Sequence, residues 1–141
     1  MISVVTLDAS VAAAWLLPDE ASDAADALYA GMLAKTTSLQ APALWAWELG
    51  NLLRMASRRG RLTDPQLEQA LGILGRSDVA LETAPDEHRV RITLRLAQLH
   101  MLTFYDAAYL EQAQRTGAQL ASKDRALRLA AARTGVPCLD L

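Results

Sequence analysis

Four acidic residues interrupt segments that are otherwise apolar, and this pattern most restricts how the chain can fold. They are Asp8, Glu48, Asp106 and Asp124. Ionised carboxylates are almost never buried without a partner, and no Lys or Arg lies in the segments that flank the first three. Two carboxylates about 4 Å apart repel each other by roughly 4 kcal/mol at an effective dielectric near 20. A fold that gathers the four therefore needs compensation, and a divalent cation is the natural one.

Short apolar runs alternate with helical patterns along the whole chain. The runs predict strands at residues 2–7, 38–41, 79–83, 119–122 and 136–139. The helical patterns and their capping residues predict helices at residues 10–17, 18–34, 43–59, 63–75, 86–100, 105–116 and 124–134. Strands that alternate with helices are typical of α/β folds. We expect a single domain over residues 1–141, with a mainly parallel central sheet of four to five short strands flanked by about seven helices.

Composition excludes several classes of protein. Hydrophobic residues make up 52% of the chain and charged residues 21%, which is typical of an ordered globular protein. The formal net charge of -2 gives no sign of a general nucleic-acid binder. Cys138 is the only cysteine, so an intrachain disulfide is impossible and a Cys-type zinc site is unsupported. The apolar stretch at residues 11–17 stops at a proline and is too short for a membrane span, which favours a cytoplasmic protein.

Three of the four acids fall at predicted strand-to-helix junctions. Asp8 ends the first strand, Asp124 closes the fourth, and Asp106 lies at the start of a helix. Ligand sites in open parallel sheets lie outside the carboxyl ends of the strands. This rule fits Asp8 and Asp124 well, and it predicts a functional site at that edge of the sheet.

Glu48 is the exception, because it lies in the middle of a predicted helix. Leu44 precedes it by four residues, Leu52 follows by four and Met55 by seven. Residues at this spacing share one face of a helix, so we expect Glu48 to lie in their apolar stripe and to point inward. Asn51, three residues further on, lies on nearly the same face.

A second interpretation stays open for the acids near helix starts. The segments around Asp8, Asp106 and Asp124 resemble helix N-terminal signals, in which a carboxylate accepts hydrogen bonds from free backbone amides. Capping explains Asp106 and Asp124 about as well as a functional site does, whereas Asp8 ends a buried strand. No helix end lies near Glu48. The four together favour a shared site over four unrelated caps.

Four short segments contain the acids: Leu7-Asp8-Ala9-Ser10, Glu48-Leu49-Gly50-Asn51-Leu52-Leu53, Tyr105-Asp106-Ala107-Ala108-Tyr109-Leu110 and Ser122-Lys123-Asp124-Arg125-Ala126-Leu127. In this order they resemble the motifs of a PIN domain, and specifically of a VapC-type toxin of a toxin–antitoxin pair. The last segment carries serine where the family pattern has threonine. The resemblance covers essentially the whole chain.

The resemblance implies a Mg²⁺- or Mn²⁺-dependent endoribonuclease that hydrolyses RNA phosphodiester bonds with a metal-activated water. It implies that Asp8 and Asp106 are the main metal ligands, and that a second metal ion or bridging waters are held by Glu48 and Asp124. Oxygen-only ligands suit such hard cations. Three polar neighbours are secondary candidates for the site: Ser10, Asn51 and Ser122.

The resemblance also implies protein partners. VapC-type toxins form homodimers or toxin–antitoxin hetero-oligomers, and a VapB-like antitoxin inhibits them. The C-terminal segment of that antitoxin would lie in an apolar groove and direct a basic side chain at the acids. The Trp-rich and Leu-rich helices of this chain are candidates for the groove.

Two other classes of function remain as alternatives. A non-catalytic PIN-fold module that binds RNA or protein would keep the fold without turnover. A phosphatase or phospho-acceptor domain with Asp8 as its nucleophile fits less well. Such domains usually have a second acid beside the first, and this chain has Ala9 and Ser10 at those positions. The glycines form neither a dinucleotide-binding motif nor a P-loop.

Overall fold

The computed structural model describes residues 1–141 of the chain. Seven α-helices and four β-strands follow one another. In order they are β1 (Ser3–Leu7), α1 (Ala9–Leu16), α2 (Asp23–Leu33), β2 (Thr37–Pro42), α3 (Leu44–Arg58), α4 (Asp64–Arg76), β3 (Val79–Glu82), α5 (Glu87–His100), α6 (Phe104–Thr116), β4 (Gln119–Ala121) and α7 (Arg125–Thr134). The expected α/β class, with its strand and helix numbers, is confirmed.

All four strands run parallel in one sheet, in the order β3-β2-β1-β4. Val5 of β1 lies between Leu39 of β2 and Gln119 of β4 in the register of the sheet. The chain moves outward from β1 through β2 to β3, and then returns to the other side of β1 to form β4. The direction of winding therefore changes between β1 and β4, and ligand sites of open α/β sheets lie at such a switch point.

Helices cover both faces of the sheet. On one face the Thr6 hydroxyl donates a 3.1 Å hydrogen bond to Gln112 of α6. Val5 and Leu7 point to the opposite face, because side chains alternate along a strand, and both are fully buried. Burial on both sides explains why β1 is an almost continuous apolar run. No helix has the combined length and apolar character that crossing a membrane requires.

Two predicted elements are wrong. The helix predicted at residues 18–34 is interrupted, because Pro18–Glu20 forms a 3₁₀ turn and the side chain of Ser22 caps a new helix at Asp23. The strand predicted at residues 136–139 is reduced to a single bridge between Leu120 and Cys138. Pro137 has no backbone N–H to donate, so it cannot take part in a full ladder.

Candidate active site

The carboxyl ends of β1 and β4 lie side by side and bring two of the acids to the switch point. The backbone N–H of Asp8 donates a 3.1 Å hydrogen bond to the carbonyl of Ala121, the last residue of β4. Ser122 and Asp124 follow directly. A residue that ends β1 and residues that follow β4 therefore meet at the place where the topology predicts a ligand site.

Asp8 is buried, with 6% of its surface exposed, and both of its carboxylate oxygens accept hydrogen bonds. Oδ1 accepts from the backbone N–H of Ser10 at 3.0 Å and from the Ser10 hydroxyl at 2.5 Å. Oδ2 accepts from the Ser122 hydroxyl. Burial raises the pKa of Asp8, and the hydrogen bonds from Ser10 and Ser122 act in the opposite direction.

Ser122 and Ser10 tie the two strand ends together. Ser122 is fully buried, and its hydroxyl accepts a 3.0 Å hydrogen bond from the backbone N–H of Asp124. The Ser10 hydroxyl accepts a 2.9 Å hydrogen bond from the backbone N–H of Lys123. Each hydroxyl thus donates to Asp8 and accepts from the segment that follows β4, which fixes the carboxylate relative to that segment.

Asp124 is exposed and caps helix α7. Its Oδ1 accepts a 2.8 Å hydrogen bond from the backbone N–H of Leu127. Asp8 likewise caps helix α1, through Ser10. The capping interpretation therefore holds for both residues, and it does not exclude a site, because a carboxylate oxygen that accepts an amide hydrogen bond keeps a second lone pair.

Glu48 is half-buried and bonded to Tyr109, which lies across the site on helix α6. The Tyr109 hydroxyl donates a 2.5 Å hydrogen bond to Oε1 of Glu48. Burial raises the pKa of Glu48, and the negative charges of Asp106 and Asp8 raise it further. Sequence reasoning missed Tyr109 as a site residue. Its signal was available, since a residue three positions after Asp106 in a helix lies on nearly the same face.

The stripe predicted for helix α3 lies beside the fully buried one, which is shifted by one residue, and Leu44 and Leu52 of the predicted stripe pack against the core. The buried residues of α3 are Trp45, Leu49, Leu53 and Ala56. The predicted stripe of residues 44, 48, 52 and 55 is only partly buried and forms the border of the core. Glu48 therefore lies where the core meets the site, while Asn51 is exposed.

Asp106 lies in the first turn of α6, whose start is capped by Thr103 rather than by the acid. The Thr103 hydroxyl accepts a 3.1 Å hydrogen bond from the backbone N–H of Asp106. The predicted strand-to-helix junction is wrong at this residue, because the preceding element is helix α5. That helix ends at Met101 in the left-handed conformation, which turns the chain directly into α6. Burial raises the pKa of Asp106, and the charge of Asp124 adds to this effect.

The acids are linked by mutual repulsion, and none of them forms an ion pair with a basic side chain. The negative charges of Asp106 and Asp8 raise the pKa of Glu48, and the charge of Asp124 raises the pKa of Asp106. No group of three or more His, Cys, Asp or Glu side chains is close enough to hold one metal ion. The all-oxygen donors fit Mg²⁺, which binds through one or two carboxylates and keeps several waters.

The comparisons with known proteins agree on one fold family. Residues 5–133 match the PIN domain family. Over 123 residues, 87% of this chain and 91% of the relative, the chain is 31% identical to Ribonuclease VapC3 of Pyrobaculum aerophilum. The crystal structure of PAE2754 from Pyrobaculum aerophilum gives a TM-score of 0.63 at 25% identity, over 92% of this chain and 87% of that chain.

FitAcB of Neisseria gonorrhoeae gives a TM-score of 0.65 over 96% of both chains, and its 14% identity supports a likeness of fold alone. The family match spans nearly the whole sequence and contains all four acids. The ribonuclease relative also covers most of the chain. With strands, helices and acids arranged as described, the chain belongs to the PIN-domain family and has a VapC ribonuclease among its relatives.

Proposed function

We propose that this chain is a divalent-cation-dependent endoribonuclease and the toxin of a toxin–antitoxin pair. The observation that carries the proposal is the buried Asp8 carboxylate, which is held by two hydroxyls at the switch point and whose charge acts on Glu48, another acid that lacks a basic partner. A structural acid in that position would be expected to pair with a basic side chain. The 31% identity to a VapC ribonuclease over most of the chain supports the same activity.

Asp8 and Asp106 would hold a Mg²⁺ or Mn²⁺ ion, and Glu48 and Asp124 would hold a second ion or bridging waters. A bound divalent cation supplies Lewis-acid chemistry, because it lowers the pKa of water and offsets charge that develops on the phosphate. Water-mediated ligation is consistent with carboxylates that do not close around one point.

The other residues of the site would orient the acids. Hydrogen bonds from Ser10 and Ser122 to the two oxygens of Asp8 fix its rotamer and favour its ionised form, which is the form that binds a cation. The Tyr109 hydroxyl does the same for Glu48. The exposed Asn51 has no such contact and stays a secondary candidate.

A protein partner would regulate the site. We expect a homodimer or a toxin–antitoxin hetero-oligomer, in which a VapB-like antitoxin directs a basic side chain at the acids. The carboxylates that lack a basic partner within the chain would be neutralised by such a side chain. Addition of the antitoxin should therefore abolish cleavage and raise the melting temperature of the toxin.

The direct test is RNA cleavage in Mg²⁺ or Mn²⁺ by the wild type, by Asp8→Asn and by the control Asp64→Asn. Asp64 is an exposed acid in the first turn of α4. We expect Asp8→Asn to lose at least about 100-fold in rate, EDTA to abolish cleavage, and Asp64→Asn to cleave like the wild type. Equal cleavage by Asp8→Asn would refute the proposal.

The absence of a preformed set of three metal ligands favours one second candidate, a non-catalytic PIN-fold module that binds RNA or protein. Melting temperatures in a Mn²⁺ titration separate the two. A nuclease should gain about 2.7 kcal/mol of stability at a cation concentration 100 times the dissociation constant, and Asp8→Asn should remove that gain. A module should show no gain that depends on Asp8, and no cleavage.

A further inference from the structure

Three basic side chains line a cavity beside the segment that follows β4. Lys123, Arg125 and Arg128 line this cavity, which has a volume of about 590 Å³. This volume is in the range of small-ligand pockets in proteins, roughly 300–1,000 Å³. The rest of the wall is largely apolar and includes Leu129 and Pro137. The cavity thus combines a cationic and an apolar lining, and we call the three basic residues its rim and Leu129 and Pro137 its floor.

The positive charge of the rim is not neutralised by an ion pair within the chain. None of the three side chains forms an ion pair. Arg128 donates from Nη1 to two backbone carbonyls, those of Ser122 at 2.9 Å and Leu139 at 3.0 Å, and these neutral partners leave its charge available. In a chain of net charge -2, three unpaired cations around one cavity indicate an anionic ligand.

The cavity is directly connected to the acidic site. The backbone N–H of Lys123 donates to the Ser10 hydroxyl, which in turn donates to Asp8. Arg128 holds the carbonyl of Ser122, whose hydroxyl donates to the other oxygen of Asp8. Asp8 and the rim therefore contact the same segment, residues 122–124, and a nucleic-acid strand bound at the acids would have this segment beside it.

We infer that the cavity binds one unpaired nucleotide of the RNA beside the cleaved bond, with phosphate on the rim and base on the floor. This inference rests on the proposed function. A base within a duplex has both faces stacked, so only an unpaired base is free to lie on Leu129 and Pro137. The site would thus select single-stranded RNA at the position next to the cut, and an acidic protein segment is the competing occupant.

Cys138 also lines the cavity and is the only cysteine of the chain, so its alkylation reports occupancy. Burial raises the pKa of this thiol, so the reaction is followed by mass spectrometry at mildly alkaline pH. The protein is mixed with a short single-stranded RNA of mixed sequence in EDTA, and gel electrophoresis confirms that the RNA stays intact. We expect the alkylation rate to fall in proportion to the fraction of protein bound, and a fully paired duplex to protect far less.

Variants of the rim and the floor test the contacts separately, with RNA affinity measured by fluorescence anisotropy. For single strands, each phosphate contact changes the slope of log affinity against log salt by about 0.7, so the double variant K123Q/R125Q should lower that slope by roughly 1.4. L129S should weaken the binding of single-stranded RNA and leave the slope of log affinity against log salt unchanged. R133Q is the matched control, because Arg133 lies in the last turn of the same helix and does not line the cavity.

Several results would overturn the inference. The first is RNA that binds without slowing the alkylation of Cys138. The second is a salt-dependence slope for K123Q/R125Q equal to that of R133Q. The third is protection of Cys138 by duplex RNA that equals protection by the single strand. Protection by a glutamate-rich peptide but not by RNA would assign the cavity to an acidic protein segment instead. The binding measurements need neither turnover nor a cation. Cleavage by Asp8→Asn therefore tests the proposed function, while protection of Cys138 by RNA tests the cavity, and either can fail without the other.

Discussion

Tyr109 donates its hydroxyl hydrogen bond to Glu48 at 2.5 Å and thereby joins helix α6 to helix α3. Helix α6 carries Asp106 one turn before Tyr109, so the element that supplies one acid also holds another in place. The charges of both acids raise the pKa of Tyr109, after the larger effect of burial and the bond to Glu48. The tyrosine therefore remains a neutral donor, and Glu48 depends on it for its orientation.

Tyr109→Phe should destabilise the fold at neutral pH and raise the pKa of Glu48. The variant leaves a half-buried carboxylate without its donor, which costs about 1–3 kcal/mol. The loss of unfolding free energy should shrink as the pH falls through the raised pKa of Glu48, because a hydrogen bond from Tyr109 stabilises the ionised carboxylate more than the protonated acid. Urea unfolding at neutral and acidic pH measures both effects.

Tyr29→Phe is the matched control for this prediction. The Tyr29 hydroxyl donates a 2.7 Å hydrogen bond to the carbonyl of Ile73, a neutral acceptor. Its loss should cost about 1 kcal/mol at every pH at which the protein is folded. A Tyr109→Phe penalty as independent of pH as that of Tyr29→Phe would contradict the assignment of Glu48 as the titrating partner.

Asp106→Asn should stabilise the protein at neutral pH when no divalent cation is present. The raised pKa of Asp106 means that the folded chain binds a proton more strongly than the unfolded chain, so stability falls as the pH rises through that window. Removal of the charge relieves this cost, by less than about 1 kcal/mol for a half-exposed group. The advantage should vanish below about pH 3.9, where an unfolded Asp is also protonated.

Under the proposed function Asp106 holds a cation, so excess Mn²⁺ should stabilise the wild type more than the variant and reverse the order. The control is Asp64→Asn, whose acid lies in the first turn of α4 and interacts favourably with the helix dipole. That variant should lose a few tenths of a kcal/mol with or without the cation. An Asp106→Asn variant less stable than the wild type in EDTA would show that the acid is not repelled by its neighbours.

The sequence was sufficient to place Asp8 and Asp124, because the end of an apolar run and the residue that caps a helix are both local signals. Parallel strands bring their carboxyl ends to one edge, so two acids at strand ends are expected to lie close together. Asp106 needed no strand before it, since the turn at Met101 leads one helix straight into the next. The position of Asp106 relative to the other acids therefore depends on how helices α5 and α6 pack, which has no local signal in the sequence.

Helix α3 shows why the remainder could not be predicted. Its two candidate stripes, through Leu44 and through Trp45, are offset by one residue, or about 100° around the helix. Both contain apolar residues at the correct spacing, so periodicity alone does not choose between them. Packing against the sheet and α1 buries Trp45 and leaves Glu48 at the border, where Tyr109 reaches it. That contact spans 61 residues of sequence and has no local signal.

Ser122→Ala should change the pH dependence of cleavage as well as stability. The variant removes the hydroxyl that donates to Asp8 and accepts from the amide of Asp124, at a cost of about 1–3 kcal/mol for buried groups. That hydrogen bond lowers the pKa of Asp8, so its loss should raise the pKa and move the acidic limb of kcat/KM to higher pH. Ser122→Thr keeps the hydroxyl and should restore the limb, even if its extra methyl group reduces stability in a fully buried position. Profiles of kcat/KM against pH for the three proteins measure this effect. If Ser122 had only a structural role, Ser122→Ala would lower the melting temperature but would keep the acidic limb at the pH at which the wild type has it.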